Sequence, residues 1–255
     1  MTASGSSRVV TAARRMFAGI LLPARKIAAR TSARPVALVY RGPASSAGCP
    51  EAVAALLTRS RWNFDVRYVG PEEEFPLTAE VLAGARIYAQ PGGGTLSHAY
   101  RHLRGSRTAI RTFVRSGGGY LGFCLGGYLA GATPGFALLP GDTDQYIASR
   151  AATVDSEDDT VVDVLWRGRN KTLFFQDGPY FQIKSGAKTT VLATYPNRTI
   201  AAVVTEFGAG RVGVVGPHPE ATRDWFSDVG LAPPSSLGDD LGLDLVDSVM
   251  TPCPS

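Results

Sequence analysis

One cysteine is surrounded by residues that could put it to work. In "GGGYLGFCLGGYLAG" (117–131), Cys124 has a glycine two residues before it and another two residues after it. G-x-C-x-G is the spacing of a nucleophile elbow, in which a reactive side chain sits on a strained turn between a strand and a helix. Side chains at 122 and 126 would collide with neighbouring backbone there, so Gly122 and Gly126 are sterically required. Such a turn exposes the sulfur and aims a helix N-terminus at it, whose partial positive charge favours thiolate over thiol. The Leu125 N–H would then point at an oxyanion formed on a bound carbonyl. The plainer alternative is a small buried cysteine in a Gly-rich helix–sheet contact, since short matches of this kind arise by chance.

A nucleophile needs a base, and the chain has three histidines to test. His98 and His102 in "SHAYRH" share one helical face, half of a metal site at most. No third ligand is evident, so exposed helix histidines are the simpler account, and no metal or other cofactor is expected. His218, in "GPHPE", follows the apolar run "RVGVVG", and Pro219 biases it away from helical conformation. In an extended segment residues i and i+2 point to the same side, so His218 and Glu220 can stand together. A carboxylate beside an imidazole fixes its tautomer and stabilises the imidazolium. Pro219 and Glu220 are then expected to open a helix over "EATRDWF".

The framework that must hold these residues alternates strand with helix. "VALVY" (36–40) is a short apolar run ending in turn residues, and "PEAVAALLTRS" (50–60) has helical apolar spacing. "FDVRYV" (64–69) alternates as a strand does, and "RIYAQ" (86–90) runs straight into "PGGG". A helical stretch carrying Ile110, Phe113 and Val114 leads to the strand "YLGF" (120–123). Alternating strands and helices imply right-handed crossovers and a parallel sheet, whose ligands bind outside the strands' carboxyl ends. Both "PGGG" and Cys124 lie at such ends. Residues 145–216 read instead as six strands with little helix between, an antiparallel extension whose hairpin signal is "FGAGR" (207–211).

Charge is distributed unevenly. Residues 1–34 hold seven cations and no acid, so the rest of the chain, +4 less seven, carries −3. The basic balance therefore belongs to a leader, and no nucleic-acid footprint is expected on the body. The leader reads as a disordered or targeting arm, and membrane contact is expected only through residues 8–30, where basic residues flank a short apolar patch. A cytoplasmic location is favoured, with export or membrane association through the leader as the alternative. Residues 232–255, with Pro233, Pro234 and Asp239, Asp240, Asp244 and Asp247, read as an acidic, loosely ordered tail. The chain's three cysteines neither form a disulfide framework nor match a zinc site.

"GFCLGG" followed further along by "HPE" resembles the class I glutamine amidotransferase-like superfamily, which uses a Cys–His–Glu triad in this chain order. Residues 35–231 are most similar to the biotin–protein ligase N-terminal domain family, in its stand-alone bacterial form, through "VYRGP", "YAQPGGG", "FVRSGGGYLGFCLGGYLAG" and "FFQDGPYF". The resemblance implies an α/β fold, a flavodoxin-like parallel sheet flanked by helices with an antiparallel extension. It implies Cys124 as nucleophile, His218 as base and acid, and Glu220 as the orienting carboxylate. Gly93 and Gly94 would match the oxyanion loop, with Leu125 as the second donor. Gln176 and Asp177 would reach a polar ligand, and Tyr40 and Arg41 would lie on the same rim. Tyr128 and Leu129 occupy the stretch where the amidotransferase motif usually has glutamine, and no synthetase or ligase domain is evident, so neither coupled glutaminase nor ligase activity is implied.

The expected function is hydrolysis of an amide-type C–N bond other than a peptide bond, through a thioester on Cys124, in a small molecule bearing a carboxamide or acyl group. The competing classes are a non-catalytic ligand-binding or regulatory module on the same fold, and a thiol-based redox sensor. Oligomeric state is not legible in the sequence.

Overall fold

The computed structural model describes residues 34–251; the expectations placed on residues 1–33, and Cys253, fall outside them. The chain runs β1 (Val36–Tyr40), α1 (Cys49–Arg59), β2 (Asp65–Val69), α2 (Ala79–Ala83), β3 (Ile87–Gln90), α3 (Leu96–Leu103), α4 (Arg107–Arg115), β4 (Gly119–Phe123) and α5 (Leu125–Ala130). The next seven elements are all strands: β5 (Gly141–Gln145), β6 (Thr160–Trp166), β7 (Arg169–Phe175), β8 (Pro179–Ile183), β9 (Thr189–Thr194), β10 (Ile200–Phe207) and β11 (Gly210–Val215) are followed by α6 (Arg223–Asp228) and α7 (Asp239–Met250).

One sheet of eleven strands runs β2-β1-β3-β4-β11-β10-β9-β6-β7, with β8 pairing to β10 and β5 pairing to β8. The β2-β1-β3-β4-β11 part is parallel throughout, the order of a flavodoxin-like doubly wound fold. From β10 onward every pairing is antiparallel. The fold is thus glutamine amidotransferase-like α/β with an antiparallel extension. β11 joins the halves, parallel to β4 on one side and antiparallel to β10 on the other.

Strand alternation divides the core in two. Ala37, Val39, Leu121 and Phe123 face α1 and α7, whereas Leu38, Tyr40, Tyr88 and Tyr120 face α2 to α5. No described helix is long and apolar enough to cross a membrane.

The acidic tail expected at 232–255 is corrected by α7. Leu241, Leu245, Val246, Val249 and Met250 are buried on one face of this helix, a helical period that the interspersed aspartates obscured. Those aspartates pair with the surrounding rim: Asp247 accepts from Arg61 at 2.9 Å and Trp62 at 2.8 Å, and Asp244 accepts from Trp166 at 2.8 Å and Arg167 at 2.7 Å. Apolar burial supplies most of the docking free energy, because exposed ion pairs contribute only about 0–1 kcal/mol each.

Candidate active site

β4 ends at Phe123, and Cys124 takes φ 47° and ψ −105° before α5 begins. A non-glycine residue in that conformation costs of order 1–3 kcal/mol, which the surroundings must offset. They do so through close packing. A Cβ at Gly122 would stand 2.4 Å from the Gly126 carbonyl oxygen, and one at Gly126 would stand 2.0 Å from that of Gln90. The Cys124 amide donates to the Val215 carbonyl at 2.9 Å, fixing the elbow to β11. Tyr120 donates through its hydroxyl to the Gly126 carbonyl at 2.7 Å.

His218 lies just past β11. Its amide donates to the Phe174 carbonyl at 2.9 Å, so its segment is extended and anchored to β7. Nδ1–H donates to Glu220 Oε1 at 2.8 Å, which leaves Nε2 for the thiol. The two residues are 4% and 1% exposed, and the ring meets Phe174 and Trp225 edge-on. Pro219 and Glu220 form a turn rather than opening a helix; α6 starts at Arg223. The turn lets Glu220 fold back onto the imidazole, which a first helical turn would carry away. Burial pulls the His218 pKa down, but the charges of Glu220 and Cys124 and hydrogen bonds to both outweigh it, and the pKa is pushed up to about 10. Glu220 Oε2 is buried and has no hydrogen-bond partner among the described residues.

Cys124 lines a cavity of about 500 Å³ together with Gly93, Gly94, Leu125, Gln176 and Asp177. The Gln176 carbonyl accepts from the thiol at 3.5 Å. Of the residues named from the sequence, His218, Glu220, Tyr40 and Arg41 do not line this cavity. Tyr40 is 2% exposed and packs into the core under α2 to α5. Arg41 donates to Glu73 at 2.7 and 3.0 Å and to Glu51 at 3.3 Å, with its guanidinium over Tyr68. It ties the ends of β1 and β2 together.

Several residues of the site escaped sequence reading. Gly92 approaches Cys124 and His218 closely: a Cβ there would lie 2.7 Å from His218 Cε1 and 3.4 Å from Cys124 Cβ. Asp144 and Gln145 reach the cavity from β5, and Glu157 from the loop before β6. "GDTDQ" has no apolar alternation to mark it as a strand; pairing with β8 makes it one. His98 and His102 are exposed on α3, and no group of three or more metal-ligating side chains occurs among the described residues. A second cavity, about 610 Å³, lies between β6, β7 and the chain leading into α7, and contains none of the triad.

Residues 36–148 match the family model described as biotin–protein ligase, N terminal. This segment is similar to that family. The family segment runs from β1 through β5, so it contains Cys124 and the "PGGG" loop but ends before His218 and Glu220. The chain is also 26% identical over 167 residues to the biotin–protein ligase of Schizosaccharomyces pombe, and spans 26% of that protein's length. Among solved structures, a glutamine amidotransferase from Thermotoga maritima matches with a TM-score of 0.55 at 14% identity, over 86% of this chain and 97% of that one. An exo-β-1,4-mannosidase from Opitutaceae bacterium strain TAV5 matches with a TM-score of 0.52 at 15% identity, over 86% of this chain and 36% of that one. These structures share the fold of this chain, and at such identities they share no more than that.

Proposed function

We propose that this protein hydrolyses a carboxamide-type C–N bond, with Cys124 as nucleophile, His218 as acid and base, and Glu220 as the residue that orients His218. The supporting observation is that the strained elbow delivers Cys124 to the imidazole of a buried His218–Glu220 pair, at the wall of a cavity of small-molecule size. The thiolate attacks the acyl carbon, and the carbonyl electron pair moves to oxygen. The Leu125 N–H and the Gly93–Gly94 loop receive that oxyanion. Its collapse expels the amine, which takes a proton from His218. Water, deprotonated by His218, then cleaves the thioester to a carboxylic acid and restores the thiol. Gln176 and Asp177 offer polar contacts to the substrate.

The test is the rate of Cys124 alkylation by iodoacetamide across pH, read by peptide mass spectrometry, in the native protein and in His218→Ala. The expected result is a fast native reaction at neutral pH that slows at least roughly tenfold in the variant. Equal rates would remove the dyad and the hydrolase with it. The end of the family segment before His218 favours a second reading, a non-catalytic binding module. A His218-dependent thiol that never releases amine from any carboxamide supports that reading instead.

A further inference from the structure

Every charged side chain lining the cavity over Cys124 is a carboxylate: Asp144, Glu157 and Asp177. Among the described residues no lysine or arginine lines it, and none of the three acids joins a salt bridge. Asp177 is held rigidly. Gln145 Nε2 donates to both of its carboxylate oxygens, at 3.2 and 3.0 Å, and the Tyr128 hydroxyl donates to its backbone carbonyl at 3.1 Å. Burial raises the Asp177 pKa, the Gln145 hydrogen bond opposes that rise, and the charge of Glu157 adds to it. Among the described residues, negative charges are thus gathered at the rim of this cavity with no lysine or arginine beside them, an arrangement that a bound cation relieves.

Such a field is poorly suited to an ordinary acyl transfer. The tetrahedral intermediate adds a negative charge beside three others, and a carboxylate on the substrate would be repelled before reaching the thiol. A positive charge on the substrate reverses both effects. We infer that the site takes a cationic carboxamide, one carrying an ammonium or guanidinium group that sits between Asp177 and Glu157 while its carbonyl faces Cys124. This inference rests on the hydrolase reading above, and it names the charge of the substrate.

The test uses two methanethiosulfonates of similar size and opposite charge, the 2-aminoethyl and 2-sulfonatoethyl reagents. Each transfers its thioalkyl group to a thiolate and releases methanesulfinate, so no turnover is needed. The ratio of their rates at Cys124, read by peptide mass spectrometry, is normalised to the ratio for 2-mercaptoethanol. The expected ratio favours the cation by roughly tenfold or more at low salt. It should fall toward one in 0.5 M salt and in the exposed-residue double variant Asp144→Asn, Glu157→Gln. A ratio near the free-thiol value, or one that neither salt nor the double variant alters, overturns the inference. Ammonia release from β-alaninamide, propionamide and succinamate reads the hydrolase separately. Fastest release from β-alaninamide is the expected order, and faster release from succinamate overturns the charge preference. No release from any of the three, with the reagent ratio intact, counts against hydrolysis and leaves the charge preference standing.

Discussion

His218 Nδ1 and Glu220 Oε1 lie 2.8 Å apart, two residues along one turn, with both side chains withdrawn from solvent. The proton on His218 is therefore held more tightly in the folded chain than in the unfolded one, where the ring has its ordinary pKa of 6.5.

The sign of the pH dependence follows. A pKa raised to about 10 contributes stability that is full below pH 6.5 and is lost as pH rises through about 10. Denaturant unfolding of the native protein and of His218→Gln should therefore show a stability gap that shrinks from pH 6 to pH 10.5. NMR titration of the ring should show the pKa falling in Glu220→Gln and after carbamidomethylation of Cys124, since each removes a negative charge. A ring titrating near 6.5 in the intact protein contradicts the paired arrangement.

Gly92→Ala should disarm the thiol without unfolding the protein. The new methyl group meets His218 Cε1 at 2.7 Å and pushes the imidazole off the sulfur. Alkylation of Cys124 at pH 7 should slow by roughly tenfold or more, while the melting temperature moves by a few degrees. An unchanged alkylation rate would show that the ring is not needed where it stands.

Gly126→Ala should have the opposite profile. Its Cβ would meet backbone, the Gln90 carbonyl oxygen at 2.0 Å, so the elbow and the end of β3 must separate. Equilibrium unfolding should show a loss of about 2–4 kcal/mol. A loss below about 0.5 kcal/mol would mean that the elbow is not packed against β3.

α7 should prove integral to the domain. Leu245 is fully buried in the core, with Val249 beside Gly213, and Leu245→Ala should cost about 2–5 kcal/mol by urea unfolding. Asp247→Asn weakens one partly exposed ion pair and should cost under about 1 kcal/mol. The reverse order would mean that the rim pairs rather than the apolar face hold the helix.

The parts of the site that were legible in the sequence are those where steric demand fixes residue type. Gly122 and Gly126 announced the elbow because the close approaches they permit leave no room for a side chain. His218 and Glu220 were legible as a pair because a proline between them excludes a continuous helix. What escaped depends on contacts distant in sequence. β5 is a strand because β8 lies beside it, and its polar residues carry no period of their own. In α7, aspartates suggested a solvated tail, yet their partners are Arg61, Trp62, Trp166 and Arg167, remote in sequence. Tyr40 and Arg41 were misplaced for a related reason: Tyr40 is taken up by the core and Arg41 by Glu51, Glu73 and Tyr68, partners that the strand's own residues do not announce.

The place of β11 has a consequence for the order in which the protein is made. β4, the strand that leads to Cys124, pairs with β3 on one side and with β11 on the other, and the Val215 carbonyl of β11 accepts from the Cys124 amide. On the ribosome β4 emerges well before β11, and its second edge stays open through the synthesis of the antiparallel extension. During that interval the elbow lacks the acceptor that steadies it, and Cys124 lacks its neighbour His218. A nascent chain therefore holds Cys124 without its backbone anchor, and the elbow is completed only when the last strand slots into the middle of the sheet.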